Sequence, residues 1–322
     1  MAEQLDLFGM SPARVAPPRR TEPTPAPAPQ PDSGDAGLAR MVLDAGLEQM
    51  DLFGDRWLHA STAHEALRSF DLEAATVALW GAVDLYPSDL ELRQRAEQIE
   101  ALAAALDEAL ATAPSRAHAL ASLGEWVPAF IETRWHQAVA QAIEDEGGPG
   151  ASLGDTPAGL YWLRAGLAFS AETSLRATLA LDPTSARVRA YLGDALFAQD
   201  RKPEARILYR DALAMAPAEV DVDAIADAAV RGLPEIARLD YELTDRPLEW
   251  AAAVGLVEGV LTPPTPTRTW LDAGELEPLA PGQRLYRWLV AEPLASGEQR
   301  IAARRAIKAL SPSVLKAWLE RE

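Results

Sequence analysis

Few residues in this chain have a type and spacing that catalysis could use. Four histidines, His59, His64, His118 and His136, are the natural candidates for a general base or a metal ligand. Only His59 and His64 are close in sequence, and their spacing does not stack them on one helical face. No His-Glu-x-x-His stretch, Gly-rich phosphate loop or nucleophile elbow occurs. Gly147-Gly148-Pro149-Gly150 lacks the Lys and Ser/Thr of a phosphate cradle. Cysteine is absent, which removes a thiol nucleophile, a Cys-based zinc site and a disulfide framework. The expectation is a protein that is not an enzyme and needs no metal or cofactor. The chemistry on offer is recognition. Residues 3–9 read Glu-Gln-Leu-Asp-Leu-Phe-Gly and residues 48–54 read Glu-Gln-Met-Asp-Leu-Phe-Gly, so only Leu5 and Met50 differ. An apolar Leu-Phe pair far from any core pattern suits a short ligand held out for another protein.

Within the first copy, Gln4, Leu5, Asp6, Leu7 and Phe8 resemble the pentapeptide by which bacterial polymerases and repair factors bind the sliding clamp. Gln49, Met50, Asp51, Leu52 and Phe53 fit the same pattern with Met in place of Leu. The resemblance implies that Gln4 hydrogen-bonds at the rim of a clamp cleft while Leu7 and Phe8 fill an apolar pocket. Such filling supplies on the order of 3–6 kcal/mol before ordering costs, so one copy binds weakly. About forty residues separate the copies. A flexible linker of that length spans roughly 35 Å, enough for two weak sites to reinforce each other on a ring.

The surroundings of the two copies differ. From Ser11 to about Gly37 the chain is rich in Pro and Ala, which blocks helix and offers little to bury. Residues 1–37 are therefore expected to be a disordered tether carrying the first copy. The second copy borders the region where Leu38, Met41, Val42 and Leu47 recur at helical spacing. There it reads as a further hook, a decoy for the first copy, or the start of the core.

Composition sets outer limits. The chain has 322 residues, 48% of them hydrophobic, with a net charge of −18. Phosphate backbones repel such a chain, so direct nucleic-acid binding is disfavoured. No apolar run is long enough to span a bilayer and no signal peptide is evident, so a cytoplasmic location without membrane contact is expected. Arg300, Arg304, Arg305, Lys308 and Lys316 form one basic concentration. It reads first as a solvated helix face, with a binding patch as the alternative.

Helical periodicity runs through the rest. Helices are expected over 57–68, 72–85, 89–111 and 115–143, the last with a break at Pro128. Glu144 to Asp155 reads as a loop and possible subdomain boundary, with Thr156-Pro157 as a helix start. Gly159 and Gly193, Ala171 and Ala205, Leu175 and Tyr209, and Pro183 and Pro217 each stand 34 positions apart. Ala75, Leu79, Ala82 and Pro87 precede Ala205, Tyr209, Ala212 and Pro217 by 130. Small residues let two helices approach, larger ones fill the gap, and Pro ends the second helix.

This pattern resembles tetratricopeptide repeats, with units near 152–185 and 186–219 and a weaker one at 56–89. The family's large aromatic at the fourth position is replaced by Arg189 and His59. The C-terminal third keeps helical patterning without the period. Helices are expected over 222–233, 234–243, 247–261, 282–295, 297–310 and 312–320, with a Pro/Thr linker at 262–267. Trp288 and Trp318 are expected in the core. The expected fold is all-α. It comprises a tail (1–37), a helical region (38–146), two repeats (152–219) and a helical C-terminal region (220–322).

The resemblances imply an adaptor. Its peptide docks on the sliding clamp, and a groove on its repeats binds a second protein, with Leu160, Leu163, Arg187, Asp194 and Phe197 as groove candidates. The alternative is a scaffold unrelated to DNA, in which the duplicated peptide serves self-association or autoinhibition.

Overall fold

The computed structural model describes residues 55–265, 276 and 278–321. Both peptide copies and the helical pattern from Leu38 lie outside this range. The described chain is all-α, built from helices that pack on their sequence neighbours. Helix α1 (Asp55–Arg68) pairs with α2 (Leu72–Leu85), and α3 (Leu90–Thr112) packs on α2. Helices α4 (Arg116–Ser122) and α5 (Glu132–Gly147) follow, separated by two 3-10 turns around Pro128. A two-residue hairpin, β1 (Ser152–Leu153) with β2 (Thr156–Pro157), leads into α6 (Ala158–Arg164) and α7 (Ala168–Leu181). Then come α8 (Ala186–Ala198) and α9 (Lys202–Met215).

The repeat seen in the sequence is geometric. Helices α2, α7 and α9 each hold fourteen residues. Each follows a turn whose left-handed residue occupies an equivalent place: Phe70 (φ 56°), Gly166 (φ 73°) and Asp200 (φ 60°). Phe70 adopts this conformation against its steric preference, and its buried ring in the core offsets that cost. Side-chain caps open several helices. Asp71 accepts from the Ala74 amide at α2, Asp89 from Leu92 at α3 and Ser185 from Val188 at α8. Arg93 donates to the Pro87 carbonyl as Arg189 does to Pro183.

Two close approaches hold the second and third hairpins. A methyl added at Gly193 would lie 2.5 Å from Tyr209 Cε1, and one at Gly159 would collide with Leu175. Glycine costs about 1 kcal/mol of helix propensity, and here it lets a large side chain of the paired helix lie against bare backbone. Ala63 and Leu79, both essentially buried, stand at the equivalent positions of the first hairpin.

The C-terminal region contains α10 (Ala228–Arg231), α11 (Leu233–Leu239), α12 (Pro247–Val257), α13 (Pro281–Ala291), α14 (Gly297–Leu310) and α15 (Pro312–Glu320). Helix α12 is buried along most of its length, against α9, α11 and α13. Trp288 and Trp318 pack against this core, as their apolar faces suggested.

Several expectations are corrected. The stretch 222–233 is not one helix, because side chains claim its amides. Asp194 takes the Ala226 N–H, and Asp227 caps α10 through Ala229. Helix α11 stops at Leu239, and Glu242 just beyond takes a left-handed conformation. Thr156-Pro157 is a strand, and the helix begins at Ala158. Nor does the Gly-rich segment separate two cores. One apolar cluster joins Val139 and Ile143 to Trp162 and Leu175 across it, and Thr178 Oγ1 donates to the Gly150 carbonyl.

Gly193→Ala should lower Tm by roughly 3–8 °C, since overpacking of about 1–3 kcal/mol outweighs the gain in propensity. The Tyr209 ring cannot retreat easily, because its hydroxyl is held by Asp194 at 2.7 Å. Calorimetry of the wild type and variant checks this, and an unchanged or higher Tm would contradict the close-approach reading.

Candidate protein-docking surface

A concavity of about 550 Å³ lies between α7, α8 and α9. Leu179, Leu192, Leu196, Ile207 and Leu208 give it an apolar lining, and Arg176, Arg189 and Glu204 are its charged members. Ile207 remains 41% exposed despite its apolar side chain. The charges beside the cleft are largely paired with one another. Glu172 accepts from Arg176, Gln199 and Arg201, and Arg201 also binds Glu204. Desolvation alone would raise the Glu172 pKa, but its hydrogen bonds and the two arginines hold it below the ordinary value. Arg189 is the exception. One nitrogen donates to the Pro183 carbonyl at 2.5 Å, while its buried Nε has no partner among the described residues. An apolar floor with a paired polar rim suits the burial of a short apolar segment of another protein.

The five residues expected to share a groove do not share this one. Leu160 and Leu163 are half-buried on α6, Arg187 is exposed, and Phe197 lies half-buried with the Lys202 ammonium over its ring. Asp194 is turned inward. It is 7% exposed, and its Oδ1 accepts from both Tyr209 Oη (2.7 Å) and the Ala226 amide (2.8 Å). Burial pushes its pKa up to about 6, against the lowering effect of those hydrogen bonds.

The residues that do line the cleft come mainly from α7, α8 and α9 and were not among the candidates; Leu192 and Leu196 are also buried core residues of α8. One signal was available. Arg189 and His59 replace the expected aromatic, and each of them lines an open cleft.

The basic concentration is partly structural. Glu292 is fully buried and receives Arg304 Nε at 2.6 Å, with Arg300 at 3.6 Å and Trp318 Nε1 at 3.4 Å. Arg305, Lys308 and Lys316 remain on the exposed side. No group of three or more metal-ligating side chains occurs among the described residues.

One Ser-His-acid cluster does form. Ser115 Oγ lies 2.9 Å from His118 Nδ1, and Glu146 interacts with Ser115 and accepts from the Ala117 amide. The serine stands between the acid and the imidazole, whereas a relay needs the imidazole in the middle. The cluster's evident role is to cap α4. His136 is buried beside Trp135 and Tyr161, and burial lowers its pKa.

No helix among the described residues is long and apolar enough to cross a membrane. Comparison with protein-family models, curated proteins and solved structures finds no match to this chain.

Asp194 supplies a pH-dependent prediction. A raised carboxylate pKa means that the folded chain holds the proton more tightly than the unfolded chain. The associated stabilisation is complete below the ordinary value near 3.8 and is lost as pH rises through about 6. Asparagine keeps the Oδ1 acceptor and carries no charge. Asp194→Asn should therefore gain stability relative to wild type between pH 4 and pH 7, by on the order of 2–3 kcal/mol. Denaturant titrations at several pH values check this, and a pH-independent difference would refute it.

Proposed function

We propose that this chain is an adaptor that brings a second protein to the bacterial sliding clamp. The observation that carries the proposal is the near-identical pair of peptides, Gln4–Phe8 and Gln49–Phe53. In the proposed mechanism Leu7 and Phe8 enter the clamp's apolar pocket and Gln4 fixes the peptide at its rim. The Pro/Ala-rich segment sets the reach between ring and body. The body is read as tetratricopeptide-like. That reading draws support from the 34-residue spacing, the equivalent left-handed turns and the Gly–large-residue contacts of α6–α7 and α8–α9. The second protein would occupy the cleft between α7, α8 and α9, where Ile207 and Leu208 offer apolar area.

No bond is made or broken in this scheme. Its output is proximity, and the effective concentration set by the linker determines its strength. The net charge of −18 favours reaching DNA through a ring that already encircles it over binding the backbone directly.

The full chain should bind a purified bacterial clamp in a calorimetric or surface-capture titration. Leu7→Ala with Phe8→Ala should weaken that binding at least tenfold, since most of the pocket-filling area is lost. Absence of wild-type binding would remove the proposal. Binding that ignores both substitutions would remove the assigned role of the first copy.

A further inference from the structure

The cleft between α7, α8 and α9 holds a positive charge that no acid around it answers. Arg189 lines the cleft, and the nearby carboxylates are committed elsewhere. Glu172 accepts from Arg176 at 2.7 Å and from Arg201 at 2.9 Å, and Glu204 accepts from Arg201 at 2.5 Å. Asp182, in the turn beside Pro183, accepts from the amide and the hydroxyl of Thr184. Arg189 itself gives one donor to the Pro183 carbonyl, a neutral partner. Its Nε is shut off from water with no acceptor among the described residues. A guanidinium placed this way has lost hydration that no carboxylate among those residues replaces. A carboxylate brought in from outside would replace it, through the remaining donors of the fork.

The surface next to this charge is apolar. Arg189 lies in the first turn of α8, and Leu192 and Leu196 follow it at helical spacing, so charge and floor share one face. Ile207 and Leu208 of α9 continue the floor, and Leu179 of α7 faces them. Ile207 keeps 41% of its surface exposed, which leaves apolar area for a visitor to cover. A ligand that satisfies both features needs large apolar side chains and a carboxylate a short distance away. Arg176 and Glu204 also line the cleft. A uniform alkyl chain would meet charges of both signs there, whereas a peptide offers them its backbone amides and carbonyls.

We propose that this cleft takes an acidic, apolar peptide segment of a second protein, with Leu- or Phe-sized side chains on Leu192, Leu196 and Ile207 and a carboxylate on Arg189. That the segment belongs to a second protein rests on the adaptor reading. The chemistry of the cleft does not.

An array of short synthetic peptides tests this on the full chain with no clamp present. Each peptide pairs two Leu or Phe residues with Asp, Asn or Lys at varied spacing. Asp peptides should bind about tenfold more tightly than their Asn counterparts, as a charge-assisted hydrogen bond allows, and Lys peptides should not bind. Ile207→Glu, at a partly exposed site, should weaken Asp and Asn peptides alike by about tenfold. Arg189→Gln keeps a donor for the Pro183 carbonyl and removes the charge. It should bring Asp peptides down to the level of Asn peptides and leave the latter unchanged. Equal loss for both peptides in Arg189→Gln overturns the proposal, because the arginine would then serve the turn alone. An array with no bound peptide overturns it, as do Asp peptides that ignore both substitutions. Tighter array binding after Leu7→Ala with Phe8→Ala overturns the assignment to a second protein, because the first peptide copy would then be the occupant. Clamp titration of the wild type decides the adaptor reading separately.

Discussion

The described body depends on helices that approach closer than ordinary side chains allow. At Gly193 the backbone of α8 lies against the Tyr209 ring of α9, and Leu175 meets Gly159 in the same way. Each contact converts a propensity penalty into dense packing, and dense packing makes each helix pair stiff. The Tyr209 contact extends further than its neighbour. Its hydroxyl is fixed by Asp194, which also takes the Ala226 amide, so one buried carboxylate ties α8 and α9 to the chain that follows. The irregular start of the C-terminal region follows from this, since the amide given to Asp194 is withheld from a helix.

Two buried carboxylates illustrate two ways of handling charge in a core. Asp194 is met by neutral donors, a phenol and an amide, and burial makes it hold a proton more readily. Glu292 is met by Arg304, with Arg300 and the Trp318 indole close by. The second arrangement sets a buried carboxylate against arginines that stay partly exposed, and it draws two members of the basic run into the support of α13, α14 and α15.

Much of the helical architecture was legible because periodicity and caps agree. The ends of α2 and α14 fall where apolar spacing and flanking Asp71, Phe70 and Gly297 place them. The close approaches were legible too, since only a packing need explains Gly at 159 and 193. Interactions distant in sequence were not. Nothing local marks Ala226 as the partner of Asp194, or Glu292 as the partner of Arg304, so 222–233 reads as helix and the basic run as a plain surface. The groove candidates do not line the cleft between α7, α8 and α9, and the reason is related. Face assignment along α8 depends on which neighbour covers each side, and Asp194 lies where α9 and the Ala226 segment cover it. Arg189 and His59, noted only as departures from a pattern, mark the open clefts instead.

Helix α8 belongs to two cores at once. Val188, Leu192 and Ala195 join the apolar cluster that reaches back to α1, while Ala186, Ala190 and Leu196 join the one that reaches forward to α15. Neither half of the body can release this helix without opening the other. Stacked helical chains often melt piecemeal, because each unit touches only its neighbours. A party wall of this kind opposes such fraying and fuses the two halves into one cooperative unit. A pull applied at one end of the body would then be carried through α8 to the other.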